Sequence, residues 1–301
     1  MILVTGANGN LGRRLLQALD KRQLAVRAVV RSQTAAATIT DLGLDTPIDV
    51  RVLDYLDTDA MRRAVKGCQH IVHLVGIIKE TANSRYIEAH ERSCEALAEL
   101  AAHAMVERIV YLSITGTDVT STNACLASKA NAERALLSGG VPALILRVPM
   151  VLGEGDYASR ALQQRAHRRW NVVLRGASRE QPIYAGDVVA AILAGLEAKL
   201  VVAETVDLAG SVSMTRADLT RAAARAVGGS TVVFSLPLWI GEALAWLLEK
   251  STRNPPVTQA MLGVLDHDDD IDPLPGAERL GISLTPLDVM LDRCLNVEIA
   301  D

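Results

Sequence analysis

Short apolar runs alternate with amphipathic stretches along the first half of the chain. The runs are apolar throughout, which is typical of strands buried on both faces of a sheet. They predict strands at Met1–Val4, Leu24–Val30, Ile48–Leu53, His70–Val75, Arg108–Leu112 and Ala143–Val148. The stretches between them predict helices at Arg13–Leu19, Ala60–Lys66, Ser84–Met105 and Ala124–Leu137. This alternation predicts an α/β fold with a doubly wound parallel sheet.

The predicted helix over Ser84–Met105 has a single apolar stripe that we expect to be buried. The stripe consists of Ile87, Cys94, Leu97 and Ala101. The next helix is expected to end at Gly139-Gly140.

The pattern is less regular after Pro149. Residues 151–156 predict a loop, and a helical stretch rich in arginine follows. Further elements are predicted as helices at Asp187–Ala198, Thr215–Val227 and Pro237–Lys250, and as a strand near Thr205–Leu208. We therefore expect a domain at 1–150 and a smaller α/β region at 151–301, of which about 183–209 returns to the main sheet.

Composition and charge narrow the class of protein. Half of the residues are hydrophobic, 22% are charged and the net charge is −4, so we expect no nucleic-acid partner. The four cysteines are far apart, which favours reduced thiols in a cytoplasm over a zinc site or a disulfide framework. Because residue 6 already belongs to a turn of the fold, we expect no signal peptide, and no apolar run predicts a transmembrane segment.

A glycine-rich turn separates the first predicted strand from the first predicted helix. It comprises Thr5, Gly6, Ala7, Asn8, Gly9, Asn10, Leu11 and Gly12. Glycines let the backbone turn tightly beside a phosphate, and the N–H groups at the start of the helix face the anion. The position of the turn predicts a Rossmann domain at 1–150 that binds a dinucleotide.

The residues at the end of the second predicted strand indicate which dinucleotide the protein binds. Proteins that select NAD place a carboxylate there, on the ribose 2′-hydroxyl. This strand ends in Arg31, followed by Ser32, and an arginine can pair with a 2′-phosphate. We therefore expect NADP(H) to be preferred over NAD(H), with a contribution from Arg13. The alternative is that Arg31 is an ordinary surface arginine.

Two charged segments of the second half have competing interpretations. The first contains Arg160, Arg165, Arg168, Arg169, Arg175 and Arg179. It is either a basic rim for an anionic ligand or a solvated helix face, and we favour the solvated face. The second contains Asp266, His267, Asp268, Asp269, Asp270 and Asp272. It lacks the spacing and glycine of a calcium loop, so we expect a solvated loop and no metal site.

The predicted helix at 237–250 carries Trp239 and Trp246 on one apolar face. Such a face packs in the core, closes an apolar substrate pocket, or docks on a membrane or a partner protein. We favour the core, and keep docking through 237–250 as the alternative.

Several motifs together resemble the short-chain dehydrogenase/reductase superfamily, in its extended or atypical, NmrA-like branch. They are the glycine turn, Val29-Val30-Arg31, Asp54, 73–76, 112–116, Ser128-Lys129 with Glu133, and Arg147-Val148-Pro149. Residues 181–188 and 207–210 are similar to the accessory NAD(P)-binding subunit of respiratory complex I.

The resemblance implies further cofactor contacts. Asp54 would bind the adenine amino group, and Lys129 would hold the nicotinamide ribose. The adenosine would be lined by Leu74, Val75 and Gly76. The nicotinamide amide would contact Pro149 and Met150.

The chain departs from the superfamily at the catalytic position. Active members have Tyr-x-x-x-Lys, whereas Cys125 stands four residues before Lys129. A thiol near a lysine can become a thiolate, but cysteine is also commonly a small buried hydrophobe, which we favour here.

Two functions therefore remain open. We favour a protein that binds NADP(H) with little ordinary dehydrogenase turnover, with an unknown protein partner. The alternative is an NADPH-dependent oxidoreductase of an apolar or quinone-like carbonyl. In that case Lys129 would act as acid/base with Thr115 or Ser113, and burial would have to lower the pKa of Lys129.

Overall fold

The computed structural model describes residues 1–198, 202–252, 255–264 and 267–296. Its first elements are β1 (Ile2–Thr5), α1 (Asn10–Lys21), β2 (Val26–Val30), α2 (Gln33–Thr40), β3 (Asp49–Val52), α3 (Thr58–Val65), β4 (His70–His73), α4 (Ser93–His103), β5 (Arg108–Ile114), α5 (Ala124–Leu137) and β6 (Ala143–Val148). The predicted strands are all present, whereas α2 was not predicted.

The later elements are shorter. They are β7 (Val151–Leu152), α6 (Tyr157–Ala166), β8 (Trp170–Leu174), β9 (Arg179–Glu180), β10 (Ile183–Tyr184), α7 (Ala185–Glu197), β11 (Glu204–Asp207), β12 (Met214–Thr215), α8 (Arg216–Ala226), β13 (Val232–Leu236), α9 (Leu238–Ser251), α10 (Gln259–Val264), α11 (Pro273–Leu280) and α12 (Leu287–Leu295). None of the described helices has the length and apolar content that crossing a membrane requires.

The chain forms two compact units. The first contains Met1–Arg147 and the described residues of Val188–Val206, and the second contains Val148–Asp187 and the described residues from Asp207 onward. The chain thus leaves the first unit after β6 and returns to it through most of α7 and β11.

The first unit is built on a seven-stranded sheet with the strand order β11-β6-β5-β4-β1-β2-β3. The pairs β1–β2, β1–β4, β2–β3 and β4–β5 are parallel. Since β1 lies between β2 and β4, the order reverses direction beside β1, and ligands of such sheets bind at the carboxyl ends of the strands there. The predicted doubly wound α/β fold is confirmed.

The predicted long helix over Ser84–Met105 is interrupted. Residues Ile87–Arg92 form a π-helical turn, and the α-helix begins only at Ser93. The wider turn shifts the phase of the helix, so the stripe predicted from Ile87 is wrong at its first residue. Ile87 is exposed, and Ala89 and His90 are buried in its place, while Cys94, Leu97 and Ala101 are buried as expected.

The second unit has its own apolar cluster between α6, α8 and α12. Its buried members include Leu162, Leu219, Ala223 and Leu291. Residues 151–156 are not entirely a loop, because Val151 and Leu152 pair in parallel with Ile183 and Tyr184.

The acidic segment after residue 266 is held by the protein and is not simply solvated. Asp268 accepts hydrogen bonds from the Ser178 hydroxyl at 2.7 Å and the Arg179 N–H at 2.8 Å, and Arg179 also pairs with Asp270. Asp269 is buried and pairs with His267. Asp266 lies outside the described residues. Among those described, no group of His, Cys, Asp or Glu side chains could hold a metal ion.

The arginine-rich segment divides into two parts. Arg160, Arg165, Arg168 and Arg169 are exposed, as a solvated face predicts. Arg175 and Arg179 are instead half-buried against the acidic segment.

The prediction that the tryptophan helix is core is wrong. Trp239 and Trp246 of α9 are exposed, and the buried residues of this helix are Gly241 and Ala245. The periodicity identified an apolar face, but no described element covers it.

Candidate cofactor site

The glycine turn joins the end of β1 to the start of α1. Gly6 has a φ of +70°, which a residue with a side chain rarely adopts. A Cβ on Gly12 would lie 2.5 Å from the Gly6 carbonyl oxygen, so only glycine lets α1 pack this closely on the turn. Gly9 is the N-cap residue, and with no side chain it leaves the first N–H groups of α1 uncapped. This cradle fits a pyrophosphate.

The other residues predicted in the turn have different surroundings. Thr5 is buried, whereas Asn8 is exposed. The Asn10 carboxamide oxygen accepts a hydrogen bond from Arg14 Nε at 2.9 Å, which fixes the first turn of α1. Leu11 is half-buried behind it.

The end of β4 lies beside the glycine turn. A Cβ on Gly6 would lie 3.0 Å from the carbonyl of Leu74 and 3.1 Å from the N–H of Val75. The Leu74 N–H donates to the Thr5 carbonyl oxygen at 3.1 Å. Leu74, Val75 and the exposed Gly76 are therefore held next to the cradle, where the resemblance expects the adenosine.

Arg31 follows the last residue of β2 and is exposed. Its guanidinium lies 5.9 Å from the ring centre of Tyr55. Ser32 caps α2 by accepting a hydrogen bond from the Ala35 N–H at 3.1 Å. Asp54 is exposed and accepts from the Leu56 N–H. Arg31 and Asp54 thus flank the buried ring of Tyr55.

Tyr55 is a residue of this site that the sequence did not reveal. Its hydroxyl accepts a hydrogen bond from the Gly6 N–H at 3.2 Å and donates to the Val29 carbonyl oxygen at 3.4 Å. Burial raises the pKa of the Tyr55 hydroxyl. The phenol therefore links the glycine turn to the end of β2. Nothing in the local sequence distinguishes it from a surface tyrosine.

Lys129 is a buried cation on α5. Its Nζ donates to the Leu112 carbonyl oxygen at 3.0 Å and lies 4.6 Å from the ring centre of Tyr111. Burial lowers the pKa of Lys129, which Cys94, Cys125 and Glu133 partly offset. A Cβ on Gly76 would be 3.2 Å from Nζ, so the lysine reaches the end of β4.

Two buried histidines lie in the same region, and sequence reasoning assigned neither a role. Burial and the charge of Lys129 lower the pKa of both His73 and His90 to about 3, so both rings are neutral. His90 Nε2 accepts from the Ile77 N–H at 3.1 Å, which leaves Nδ1 to donate to the Ser128 hydroxyl at 2.8 Å. His73 Nδ1 lies 2.6 Å from the Thr5 hydroxyl. These bonds hold α5 and the β1 and β4 ends together.

Cys125 is buried four residues before Lys129. Its thiol lies 3.8 Å from the Ile77 carbonyl oxygen, and burial raises its pKa to about 11 despite the nearby Lys129. The thiol is neutral at pH 7, which fits the packing interpretation. Tyr111 does not supply the missing phenol to a substrate, because its side chain is fully buried.

Ser113 and Thr115 do not have equivalent positions. The Ser113 hydroxyl donates to the Glu133 carboxylate at 2.5 Å, so its proton is not directed toward a substrate. Arg147 binds both carboxylate oxygens of Glu133. Thr115 is buried at the end of β5. An open cavity of about 490 Å³ borders Glu133 and Arg147 but includes no residue of the glycine turn.

Pro149 and Met150 are the first residues after β6. They belong to the second unit, where the Met150 carbonyl oxygen accepts from the Ile183 N–H at 2.9 Å. Their contact with a nicotinamide stays a prediction.

Comparison with known proteins identifies a family and relatives of this chain. Residues 6–177 match a family model described as NAD(P)H-binding. NADH dehydrogenase (ubiquinone) 1 alpha subcomplex subunit 9, mitochondrial, of Mus musculus is 27% identical over 297 residues, which cover 95% of this chain and 77% of that protein. Ceramide reductase of Caulobacter vibrioides is 30% identical over 195 residues, or 64% of this chain and 60% of that protein.

Solved structures show the same fold at lower identity. UDP-glucuronic acid 4-epimerase from Bacillus cereus in complex with NAD has a TM-score of 0.75 at 18% identity, with 98% of this chain and 97% of that chain covered. The resemblance to the accessory subunit of complex I is confirmed, and the solved structures confirm that the fold is shared with nucleotide-sugar epimerases.

Proposed function

The chain belongs to the NAD(P)H-binding family, and from this premise we propose that it binds NADP(H) with little ordinary dehydrogenase turnover. The glycine turn would hold the pyrophosphate, residues 74–76 the adenosine, and Lys129 the nicotinamide ribose. When bound, the nicotinamide supplies or accepts a hydride.

Arg31 carries the proposed preference for NADP(H). It is exposed at the end of β2, where an NAD-selecting protein has a carboxylate, and the Tyr55 ring supports its guanidinium. Arg13, half-buried on α1 just after the glycine turn, would contribute a second positive charge. A 2′-phosphate would pair with the Arg31 guanidinium.

The proposal of low turnover rests on the properties of Cys125. A proton donor in this reaction must reach the substrate and ionise near the working pH. The Cys125 thiol is buried and its pKa is about 11, so it does not replace a catalytic tyrosine.

The reductase alternative rests on the lowered pKa of Lys129. A lysine that loses its proton more readily can exchange it with a carbonyl oxygen, with Thr115 as a second polar group. The name of the Caulobacter relative, a ceramide reductase, is compatible with an apolar carbonyl substrate. A cytoplasmic location also remains a proposal, since the mouse relative is named as mitochondrial.

The preference for NADP(H) is tested by titrating both reduced cofactors into the purified protein. We expect NADPH to bind at least about tenfold more tightly than NADH, since one charge-assisted contact is worth roughly 1.4 kcal/mol. Arg31→Asp should abolish or reverse the preference, whereas Arg63→Asp, an equal charge change on α3, should retain it. Equal affinities in the wild type would contradict the assignment.

Turnover is tested with the same protein. We expect NADPH to be consumed no faster with small carbonyls or quinones than without them. Substrate-dependent consumption that Lys129→Met abolishes would establish the reductase instead.

A further inference from the structure

The chain has only three tryptophans and one phenylalanine, and all four lie in the second unit. Trp170, Phe234, Trp239 and Trp246 are between 48% and 66% exposed. Large aromatic side chains normally contribute most to a protein core. Here the core of this unit is aliphatic, and its largest aromatic groups face solvent.

Trp170 and Phe234 lie on a two-stranded sheet. Strands β8 and β13 pair in parallel, so that Trp170 is opposite Val232 and Val172 is opposite Phe234. All four of these side chains are exposed, whereas the alternating positions Asn171 and Val173 of β8 are buried. The Trp170 and Phe234 rings stack at 5.7 Å. One side of this sheet is therefore an uncovered apolar surface.

Trp239 and Trp246 are exposed on α9, the helix that follows β13. The helix begins two residues after β13 and packs through Gly241, whose Cβ would lie 2.4 Å from a methyl carbon of Leu174. By strand alternation Leu174 shares a side with Trp170 and Val172, so α9 covers only the end of that surface. On the side of α9 opposite Gly241, the side chains of Trp239, Trp246 and Leu247 are exposed to solvent.

We call this region the aromatic surface. It consists of Trp170, Val172, Val232, Phe234, Trp239, Trp246 and Leu247. Exposed large apolar side chains that are grouped on successive elements in this way are typical of an interaction site.

The charges beside Trp170 are basic, although the whole chain has a net charge of −4. The Arg169 guanidinium lies 5.7 Å from the Trp170 ring centre, and Arg168 next to it is exposed. Lys250 lies one helical turn beyond Trp246 and is also exposed. Of the two carboxylates on α9, Glu249 accepts two hydrogen bonds from Gln259, and Glu242 is exposed one helical turn before Trp246.

This combination matches an anionic bilayer. Tryptophan prefers the depth of the lipid head groups, and arginine and lysine beside it pair with lipid phosphates. A helix that exposes Trp and Leu next to basic residues binds at such an interface without spanning it.

We propose that the aromatic surface docks the protein on the surface of an anionic lipid bilayer. The tryptophans would enter the head-group region, and Arg168, Arg169 and Lys250 would contact the phosphates. The proposal does not depend on which cofactor the first unit binds.

The test is co-sedimentation of the full chain with phosphatidylcholine vesicles, with and without phosphatidylserine. We expect binding to the vesicles that contain phosphatidylserine, and weaker binding as salt is added. Because every tryptophan of the chain belongs to the aromatic surface, binding should also shift the intrinsic fluorescence to shorter wavelength.

Variants identify the surface. Trp239→Ser with Trp246→Ser should lower vesicle binding by about tenfold or more, and Arg168→Gln with Arg169→Gln should remove the preference for anionic lipid. Tyr157→Ser is the matched control, since Tyr157 is an exposed aromatic residue of α6 outside the aromatic surface. It should bind vesicles like the wild type. Unchanged NADPH binding and circular dichroism would show that each variant is folded.

Three results would overturn the proposal. They are no binding to anionic vesicles, binding that the tryptophan variant retains, and a dimer in sedimentation velocity that this variant dissociates. The last result would mean that the surface is covered by a second copy of the chain.

Discussion

Lys129 shows how much a single residue depends on its surroundings. In the sequence it is one lysine of a familiar motif, but in the structure its ammonium is buried against the Leu112 carbonyl oxygen and the Tyr111 ring. A buried cation is costly unless its donors are satisfied. The two neutral histidines and the raised pKa of Cys125 result from the same buried environment.

Substitutions of Lys129 and Cys125 should show which of the two residues contributes to cofactor binding. Lys129→Met keeps most of the volume but removes the ammonium, so we expect NADPH affinity to fall by about tenfold, the loss of one charged hydrogen bond. Cys125→Ala should leave affinity, and any turnover, within a few-fold of wild type, because the thiol is buried and neutral. Calorimetric titration measures both. A large loss of turnover in Cys125→Ala would show that the thiol is catalytic.

The buried histidines predict a dependence of stability on pH. Their pKa is about 3 in the folded state against 6.5 for a free histidine, so unfolding takes up protons between these values. The unfolded state binds more protons there, and each histidine therefore lowers the free energy of unfolding by about 1.4 kcal/mol per pH unit as the pH falls below 6.5. Above pH 6.5 both histidines are neutral in the folded and the unfolded state, so this loss of stability is absent.

Urea unfolding at pH 7 and pH 5 measures this dependence. We expect the free energy of unfolding of His90→Asn to decrease less between pH 7 and pH 5 than that of the wild type. The difference should correspond to about one proton fewer taken up on unfolding. His103→Asn is the control, since His103 is exposed on α4, and it should retain the wild-type slope. Equal slopes in wild type and His90→Asn would refute the assignment.

At the scale of elements, the glycine turn behaves as its sequence predicts, because its constraints are local. The positive φ of Gly6 and the close approach of Gly12 involve residues within a few positions of each other. The helix after β4 behaves differently. Its π-helical turn at Ile87–Arg92 buries His90 against Ser128 of α5, a contact that no local periodicity encodes.

The turn can be tested by adding one methyl group. Gly12→Ala places Cβ 2.5 Å from the Gly6 carbonyl oxygen, so the turn must open, and we expect NADPH affinity to fall at least about tenfold. Gly67→Ala is the control. Gly67 has a φ of +79° but no neighbour within 4 Å, so its substitution should cost roughly 1 kcal/mol of stability and leave affinity unchanged. Cofactor titration and urea unfolding of both variants decide the matter, and normal affinity in Gly12→Ala would contradict the role of the turn.

At the scale of the whole molecule, each compact unit is formed by two separate stretches of the chain. The chain completes β6, contributes β7 through β10 to the second unit, and then returns to the sheet with β11 beside β6. The sequence predicted a return to the main sheet at about 183–209. The strand that β11 pairs with depends on the assembled sheet.

The sequence by itself determined the six strands of the first half with the helices α1, α3 and α5, the α/β class, the glycine turn and the absence of tyrosine four residues before Lys129. These features follow from periodicity and from residues close together in the chain. Only the tertiary structure decided that Tyr55 contacts Gly6, that Asp268 holds Ser178, and that α9 exposes its tryptophans. An apolar period shows which side of a helix avoids water, but a distant part of the chain must fold against that side to cover it.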